Sequence, residues 1–402
     1  MTQQLFSFHT TPLTPPTSEE DRLSWLRLYR SRRVGAATFR RLMGEHGSAE
    51  AALAALPGIA EAAGVRDYQT TTRQQAEAEW RSGLKHRARL ICMGDPEYPT
   101  LLADISDAPP LFWAVGDTTL LSRPLIGMVG TRRCSSLGER MARHLAGGLG
   151  EAGLTVVSGM ARGIDAAAHD AALPYGTIAV LGGGADIIYP PENTSLYHNI
   201  RNRGLVISEQ PMGLPPQARH FPQRNRIISG LCMGLIVVEA AAKSGSLITA
   251  RNAGDQGREV MAVPGHPFDA RASGCNMLLR DGATLIRSTP DVLEVLGHDP
   301  EQAPLRPAQP ARPRRSLLSR KPAAPPATPV PTPPSPAKHR QDARELPAEI
   351  LSRLSAAPLN EDQLIRDLGL SAAVVGPALI DLELDGLAIR HPGGLVSLAP
   401  PS

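Results

Sequence analysis

Cysteine is scarce in this 402-residue chain, which holds four (Cys92, Cys134, Cys232, Cys275). They lie far apart, with no CxxC pair and no Cys/His cluster at metal-ligand spacing. A disulfide-stapled scaffold and a zinc module are therefore excluded. No stretch approaches the roughly 18 consecutive apolar residues of a membrane span. Met1 to Ser18 is polar and rich in Pro and Thr, without the basic start and apolar run of a signal peptide. Also missing are a nucleophile beside a base, a paired-carboxylate site and metal ligands at recognisable spacing. The expectation is a protein of a reducing cytoplasm, with no membrane association, no cofactor and no catalytic residues.

Forty-two per cent of the residues are hydrophobic, enough for at least one large core, and the length fits two or three domains. Formal net charge is only +3. Between Gln302 and Gln341 stand eight Lys/Arg and no acids, which leaves the rest of the chain at −5. A nucleic-acid site on the folded part must come from local placement of cations.

Residues 18–83 read as short Ala/Leu-rich helices punctuated by Gly35, Gly44, Gly47 and Gly58 as stops or turns. Val34-Gly35-Ala36 and Leu56-Pro57-Gly58-Ile59 give this segment a SAM or helix-hairpin-helix character; it either packs or offers amides to phosphates. From 90 to 296, short β-branched runs alternate with amphipathic stretches: Leu125 to Val129, Leu154 to Val157, Thr177 to Leu181, Leu205 to Ile207, Leu235 to Val238 and Glu259 to Val263. The pattern predicts an α/β domain, an extended Rossmann-like, doubly wound sheet. Residues 300–343 form a basic Pro/Ala tract that composition marks as an extended linker. Residues 344–399 give three helix patterns and a hairpin with Pro392-Gly393-Gly394 at its turn, a winged-helix arrangement.

Open parallel sheets bind ligands beyond the carboxyl ends of their strands, and the glycine-rich sequences fall there. After the first parallel run comes Gly130-Thr131-Arg132, then Ser136 and Glu139 at capping-box spacing, so that exposed helix amides and Arg132 would make an anion site. After the next comes Ser158-Gly159-Met160-Ala161-Arg162-Gly163-Ile164-Asp165, where Asp165 reads as a cap and His169 as a packed histidine. The third ends in Gly182-Gly183-Gly184, which needs a tight turn, a ligand against the backbone, or both. A dinucleotide fingerprint is absent: no x-Gly-x-x-Gly follows Gly130, and Ser158-Gly159 stands where a ribose-binding acid is needed.

Phe221-Pro222-Gln223-Arg224-Asn225-Arg226, with Arg219 just before it, joins an aromatic ring to three cations, a set suited to stacking bases and holding phosphates. The same arginines could instead pair with Glu209 or Glu239 and lock the loop. Lys243-Ser244-Gly245-Ser246, at the start of another helix, adds hydroxyls, amides and a cation to the same rim.

Taken in order, Asp95-Pro96-Glu97-Tyr98-Pro99, Gly130-Thr131-Arg132, Ser158 to Asp165 with His169, Phe221 to Gly230, Ser244 to Ala250, Val263-Pro264-Gly265 and Gly274-Cys275-Asn276 resemble the DNA-processing protein A (DprA/Smf) family. The resemblance spans about Leu90 to Leu296 strongly and the flanking domains more weakly. It implies a non-enzymatic recombination mediator of natural transformation that binds single-stranded DNA, protects it and recruits RecA recombinase, as a homodimer formed through the Rossmann domain. By position, Gly130, Thr131 and Arg132 take phosphates and Phe221 stacks a base. Gln223 and Ala218 depart from the family, whose members often carry a cation at the first of these positions; Arg219 would compensate.

Two other readings use the same chain. Lysine-decarboxylase-like phosphoribohydrolases also place Gly-rich loops at these strand ends, but their Pro-Gly-Gly-x-Gly-Thr-x-x-Glu block has no counterpart here. A winged-helix transcription regulator needs a basic recognition helix. The third helix instead holds Asp381, Glu383 and Asp385 and no Lys or Arg, which points to an interaction or regulatory module.

Overall fold

A computed structural model describes residues 15–299 and 346–399. The basic linker expected at 300–343 lies outside the described residues. The chain forms two compact units divided after His298.

The first unit opens with four helices, α1 (Glu19–Arg30), α2 (Ala36–His46), α3 (Ala49–Ala62) and α4 (Arg73–Lys85). Ser18 with Asp21, and Thr72 with Gln75, close capping boxes at the starts of α1 and α4. Gly47 ends α2 in the left-handed conformation at φ 73°. Gly44 and Pro57-Gly58 do not break the helices as the sequence suggested. Leu42, Met43, Leu53, Leu56 and Ala60 keep burying one helix face across these residues. Packing thereby outweighs a local cost of about 1 kcal/mol for a mid-helix glycine.

Next come β1 (Arg89–Cys92), α5 (Thr100–Ala103), β2 (Leu111–Gly116), β3 (Leu125–Val129), α6 (Ser136–Glu151), β4 (Thr155–Ser158), α7 (Ile164–Ala172), β5 (Thr177–Val180), α8 (Thr194–Arg203) and β6 (Leu205–Ser208). They are followed by α9 (His220–Leu231), β7 (Gly234–Val237), α10 (Ser246–Asp255), β8 (Glu259–Ala262), α11 (Ser273–Arg280), β9 (Thr284–Leu285) and α12 (Thr289–Leu296). The nine strands make one sheet in the order β1-β2-β6-β5-β4-β3-β7-β8-β9. From β6 to β9 in the sheet order every neighbouring pair is parallel, whereas β2 pairs antiparallel with β6 and β1 pairs antiparallel with β2.

Of the parallel strands, β3 to β7 are buried on both faces, which is why they read as apolar runs. In β3, Leu125 and Val129 pack with residues of α5, α9 and α10; Ile126 and Met128 pack on the other face with α6, α7 and α12. The helical domain is clasped to the sheet by polar contacts. Arg22 makes a bidentate pair with Asp95, both bonds at 2.7 Å, and that carboxylate also accepts the Cys92 amide. Arg30 pairs with Glu79 at 2.9 Å, and Glu79 accepts the Trp113 indole N–H.

The second unit holds α13 (346–353), β10 (Leu359–Asn360), α14 (Glu361–Leu368), α15 (Ala372–Leu384), β11 (Ala388–His391) and β12 (Leu395–Leu398). Three helices and an antiparallel sheet in the order β10-β12-β11 make a winged helix. Its core is Leu346, Ile350, Leu364, Val375, Leu379, Leu382 and Val396. Gly393 and Gly394 turn the wing with φ of 83° and 71°. The acids of α15 remain at its surface, where Glu383 pairs with Arg390 at 2.7 Å.

Candidate nucleic-acid interface

The order of the parallel strands reverses between β3 and β7, so the crevice opens beyond their carboxyl ends. The loops after β3, β4 and β7 meet there because glycine lets their backbones touch. A Cβ on Gly130 would lie 2.5 Å from Ile164 Cγ1 and 3.0 Å from the Glu239 carbonyl oxygen. Gly163, at φ 75°, leaves no room for one either, since it would stand 2.4 Å from the Thr131 carbonyl oxygen. Thr131 N–H donates to the Glu239 carbonyl at 2.7 Å. These contacts fix the loop that carries Arg132.

The amino end of α6 differs from the expected anion site. Its cap is Ser135, not Ser136, and the Ser135 hydroxyl accepts the Gly138 N–H at 3.0 Å. The buried Glu239 carboxylate has already taken the place of an external anion. It accepts the Ser135 hydroxyl at 2.7 Å and the Ser135 amide at 3.1 Å. Burial pushes this carboxyl up, while the Ser135 donors and Arg271 pull it back. A negative charge at a helix amino terminus is favourable, and here the protein supplies it from a residue 104 positions away.

Two of the three arginines around Phe221 turn inward. Arg224 is 7% exposed and donates to the carbonyls of Gly159 and Val180. Burial drags its guanidinium down to about 10, against the opposing charge of Asp165. A Cβ on Gly159 would stand 2.2 Å from Arg224 Nη1, so this glycine is the seat of the guanidinium. Arg226 donates to Glu209 at 2.6 Å and pairs with Asp107 at 3.1 Å. Arg219 is exposed at the head of α9.

The triple glycine is covered by protein. A Cβ on Gly183 would meet the Leu214 carbonyl at 2.8 Å, and one on Gly184 the Pro211 carbonyl at 2.6 Å. Over Gly182 lies the Phe221 ring, its Cδ1 3.2 Å from where a Cβ would be.

The outcome is an open cleft of about 570 Å³. Gly130, Thr131, Arg132, Arg162, Phe221, Arg224, Asn225, Ser244, Gly245 and Ser246 line it, and Gly159 and Gly183 line a smaller adjoining cavity. Ser158, Gly163, Arg219, Arg226 and Lys243 line neither. Ser158 is fully buried, its hydroxyl donating to the Met128 carbonyl at 2.6 Å.

Arg132 is exposed, makes no ion pair among the described residues, and holds its guanidinium carbon 5.5 Å from the Phe221 ring centre. Arg162 reaches Glu192 at 3.1 Å, but both side chains are more than half exposed, so the pair holds weakly. Tyr189, which the motif reading missed, is 45% exposed and stands 5.7 Å from Phe221, centroid to centroid. The available signal was its place five residues beyond Gly184, in a loop leaving a strand end that already carried the motif.

His169 lies behind this surface, and the buried Asp165 lines the cleft. The His169 Nδ1 meets the Thr177 hydroxyl at 2.8 Å, and burial lowers the ring's pKa to about 3. Asp165 accepts the Ala161 amide at 3.3 Å, tying down the loop before α7. An imidazole that stays neutral in the fold but binds a proton when unfolded makes stability fall as pH drops below about 6.5 and go on falling toward 3. Denaturant titrations of wild type and His169→Gln at pH 7.5 and pH 5 (values flanking the unperturbed imidazole pKa of about 6.5) test this. The variant should lose less stability on acidification than wild type, and equal losses would contradict the assignment.

The fold defines the class: an extended Rossmann domain preceded along the chain by a small helical domain and followed by a winged helix. The sequence model of the DNA recombination-mediator protein A family matches residues 89–297. Those of the DprA-like N-terminal HHH domain and the DprA winged helix domain match residues 19–82 and 322–394. Protein Smf of Synechocystis sp. is 35% identical over 307 residues, 74% of this chain and 77% of its own length. DNA processing protein DprA of Streptococcus pneumoniae is 48% identical over 201 residues, 50% of this chain and 71% of its own length. The X-ray structure of the Streptococcus pneumoniae protein superposes with a TM-score of 0.56 at 37% identity, over 68% of this chain and 95% of that one. The chain belongs to the DNA recombination-mediator protein A (DprA/Smf) family. Among the described residues no helix is long and apolar enough to cross a membrane.

Proposed function

We propose that this protein binds single-stranded DNA in the cleft beyond β3 and β7, protects it, and helps load RecA recombinase onto it during DNA uptake and transformation. The observation that carries the reading is Arg132. It is a cation with no ion pair among the described residues, lying over the Phe221 ring of a half-exposed aromatic pair, Phe221 and Tyr189, at the switch point of the sheet. Stacking on rings is available to every base, and a guanidinium holds the phosphate between them.

In this reading Gly130, Thr131 and Arg132 receive the backbone on one side and Ser244, Gly245 and Ser246 on the other. Arg162, Arg219, Lys243 and Asn225 add charge and hydrogen bonds along the rim. Ser158, Gly163 and Arg226 shape the cleft from behind, while Arg224, in its wall, and Gly159 and Gly183, in the adjoining cavity, hold its loops in place. The protein acts by binding rather than by chemistry. Relatives named as DNA processing proteins support DNA as the ligand. Dimer formation through the Rossmann domain and the RecA contact rest on the family resemblance.

Competition between a labelled single strand and a duplex of equal length is the test. The single strand should win, with little dependence on base sequence. Duplex preference, or a strong preference for one base order, would overturn the reading.

A further inference from the structure

We infer that Tyr29, in the N-terminal helical domain, is a positioning residue for the single-strand site, acting through Glu209 and Arg226 on the helix that carries Phe221. The inference rests on the proposed function and adds to it a role for a domain that does not line the cleft.

Two helices converge on one residue at the end of a strand. Glu209 directly follows β6 and is 8% exposed. Its Oε1 accepts the Tyr29 hydroxyl from α1 and, at 2.6 Å, Arg226 Nη2 from α9. Its backbone carbonyl accepts Arg30 Nη1 at 3.1 Å. Burial and the neighbouring Glu209 charge push the Tyr29 hydroxyl well up, so it stays a donor at any working pH. Its ring is held edge-on to Phe39, 5.9 Å between centroids, inside the helical core.

Glu209 cannot drift with its partners. The adjacent Ser208 hydroxyl donates to the Gly183 carbonyl at 2.5 Å and accepts the Gln210 amide at 3.0 Å. Arg226 is equally held, since Asp107 takes its Nε side at 3.1 Å and Gln256, the cap at the carboxyl end of α10, donates to its carbonyl at 3.1 Å. Phe221 and Arg226 share α9, a continuous helix of 12 residues. At about 1.5 Å per residue, a shift at Arg226 passes to the ring little more than one turn away. Tyr29 lines neither cavity of the site, so an effect of its hydroxyl on DNA must travel through this relay.

The experiment compares full-length wild type, Tyr29→Phe, Phe221→Ala and their double variant, on a single strand and on the same strand made abasic. Melting temperatures are measured alongside. Asp107→Asn, at the half-exposed far end of the relay, is the second variant should Tyr29→Phe fold poorly. Tyr29→Phe should weaken the base-bearing strand by about 3- to 10-fold, the scale on which coupled neighbours influence each other. The abasic strand should change less, and nothing should be lost beyond what Phe221→Ala already costs. Asp107→Asn should act in the same direction.

The inference is overturned if Tyr29→Phe binds like wild type while Phe221→Ala is weakened. It is overturned also if Tyr29→Phe weakens both strands equally or adds in full to Phe221→Ala, whatever the melting temperature. If Phe221→Ala itself binds normally, the single-strand site falls and this inference falls with it.

Discussion

Arg224→Ala should destabilise the protein by about 3–5 kcal/mol, the cost of removing one partner from a buried charged arrangement. The guanidinium donates to the carbonyls of Gly159 and Val180, joining the loop after β4 to the end of β5. Alanine would leave both carbonyls without this donor, a void above Gly159, and Asp165 without the compensating charge of Arg224. Arg224→Lys should recover only part of the loss, because one ammonium does not reproduce a planar fork. Denaturant unfolding checks this. A variant of wild-type stability that had lost DNA binding would mean that Arg224 serves the ligand and not the loops.

Phe221→Ala should cost about 1–3 kcal/mol of single-strand affinity, some 5- to 150-fold. The ring rests on Gly182, beside Tyr189 and Arg132, so truncation removes the stacking surface without opening the hydrophobic core. Phe221→Trp should retain most of the binding. The decisive control is an abasic strand, which wild type should bind more weakly and the alanine variant no more weakly than the base-bearing strand. Equal affinities of wild type for both strands would remove stacking from the account.

The contrast between these two residues marks where the sequence stops being readable. Phe221 and Arg224 sit three positions apart in one motif, and both suited a ligand. Which side chain α9 turns inward depends on Gly159, 65 positions from Arg224, a pairing no local pattern encodes. The same limit applies to Ser135. Its helix start was legible to within one residue, but its occupation by Glu239 was not, because that carboxylate arrives from another strand end.

The parallel strands were legible for a physical reason: burial on both faces demands largely apolar runs, and β3 to β7 are buried at every position. β9, of two residues, is too short to carry a pattern, and β1 opens on the exposed Arg89 and lies outside the parallel set. The glycines announced close approach but not what approaches. At Gly130, Gly163, Gly183 and Gly184 it is another stretch of this chain.

Single-strand binding by wild type and Arg132→Ala over a salt series decides whether this cleft holds the strand. Arg132 should account for about one phosphate contact, so the variant should bind more weakly with a log–log salt slope shallower by about 0.7. An unchanged affinity and slope would contradict the account, leaving the Gly130-Thr131-Arg132 loop with a role in packing alone.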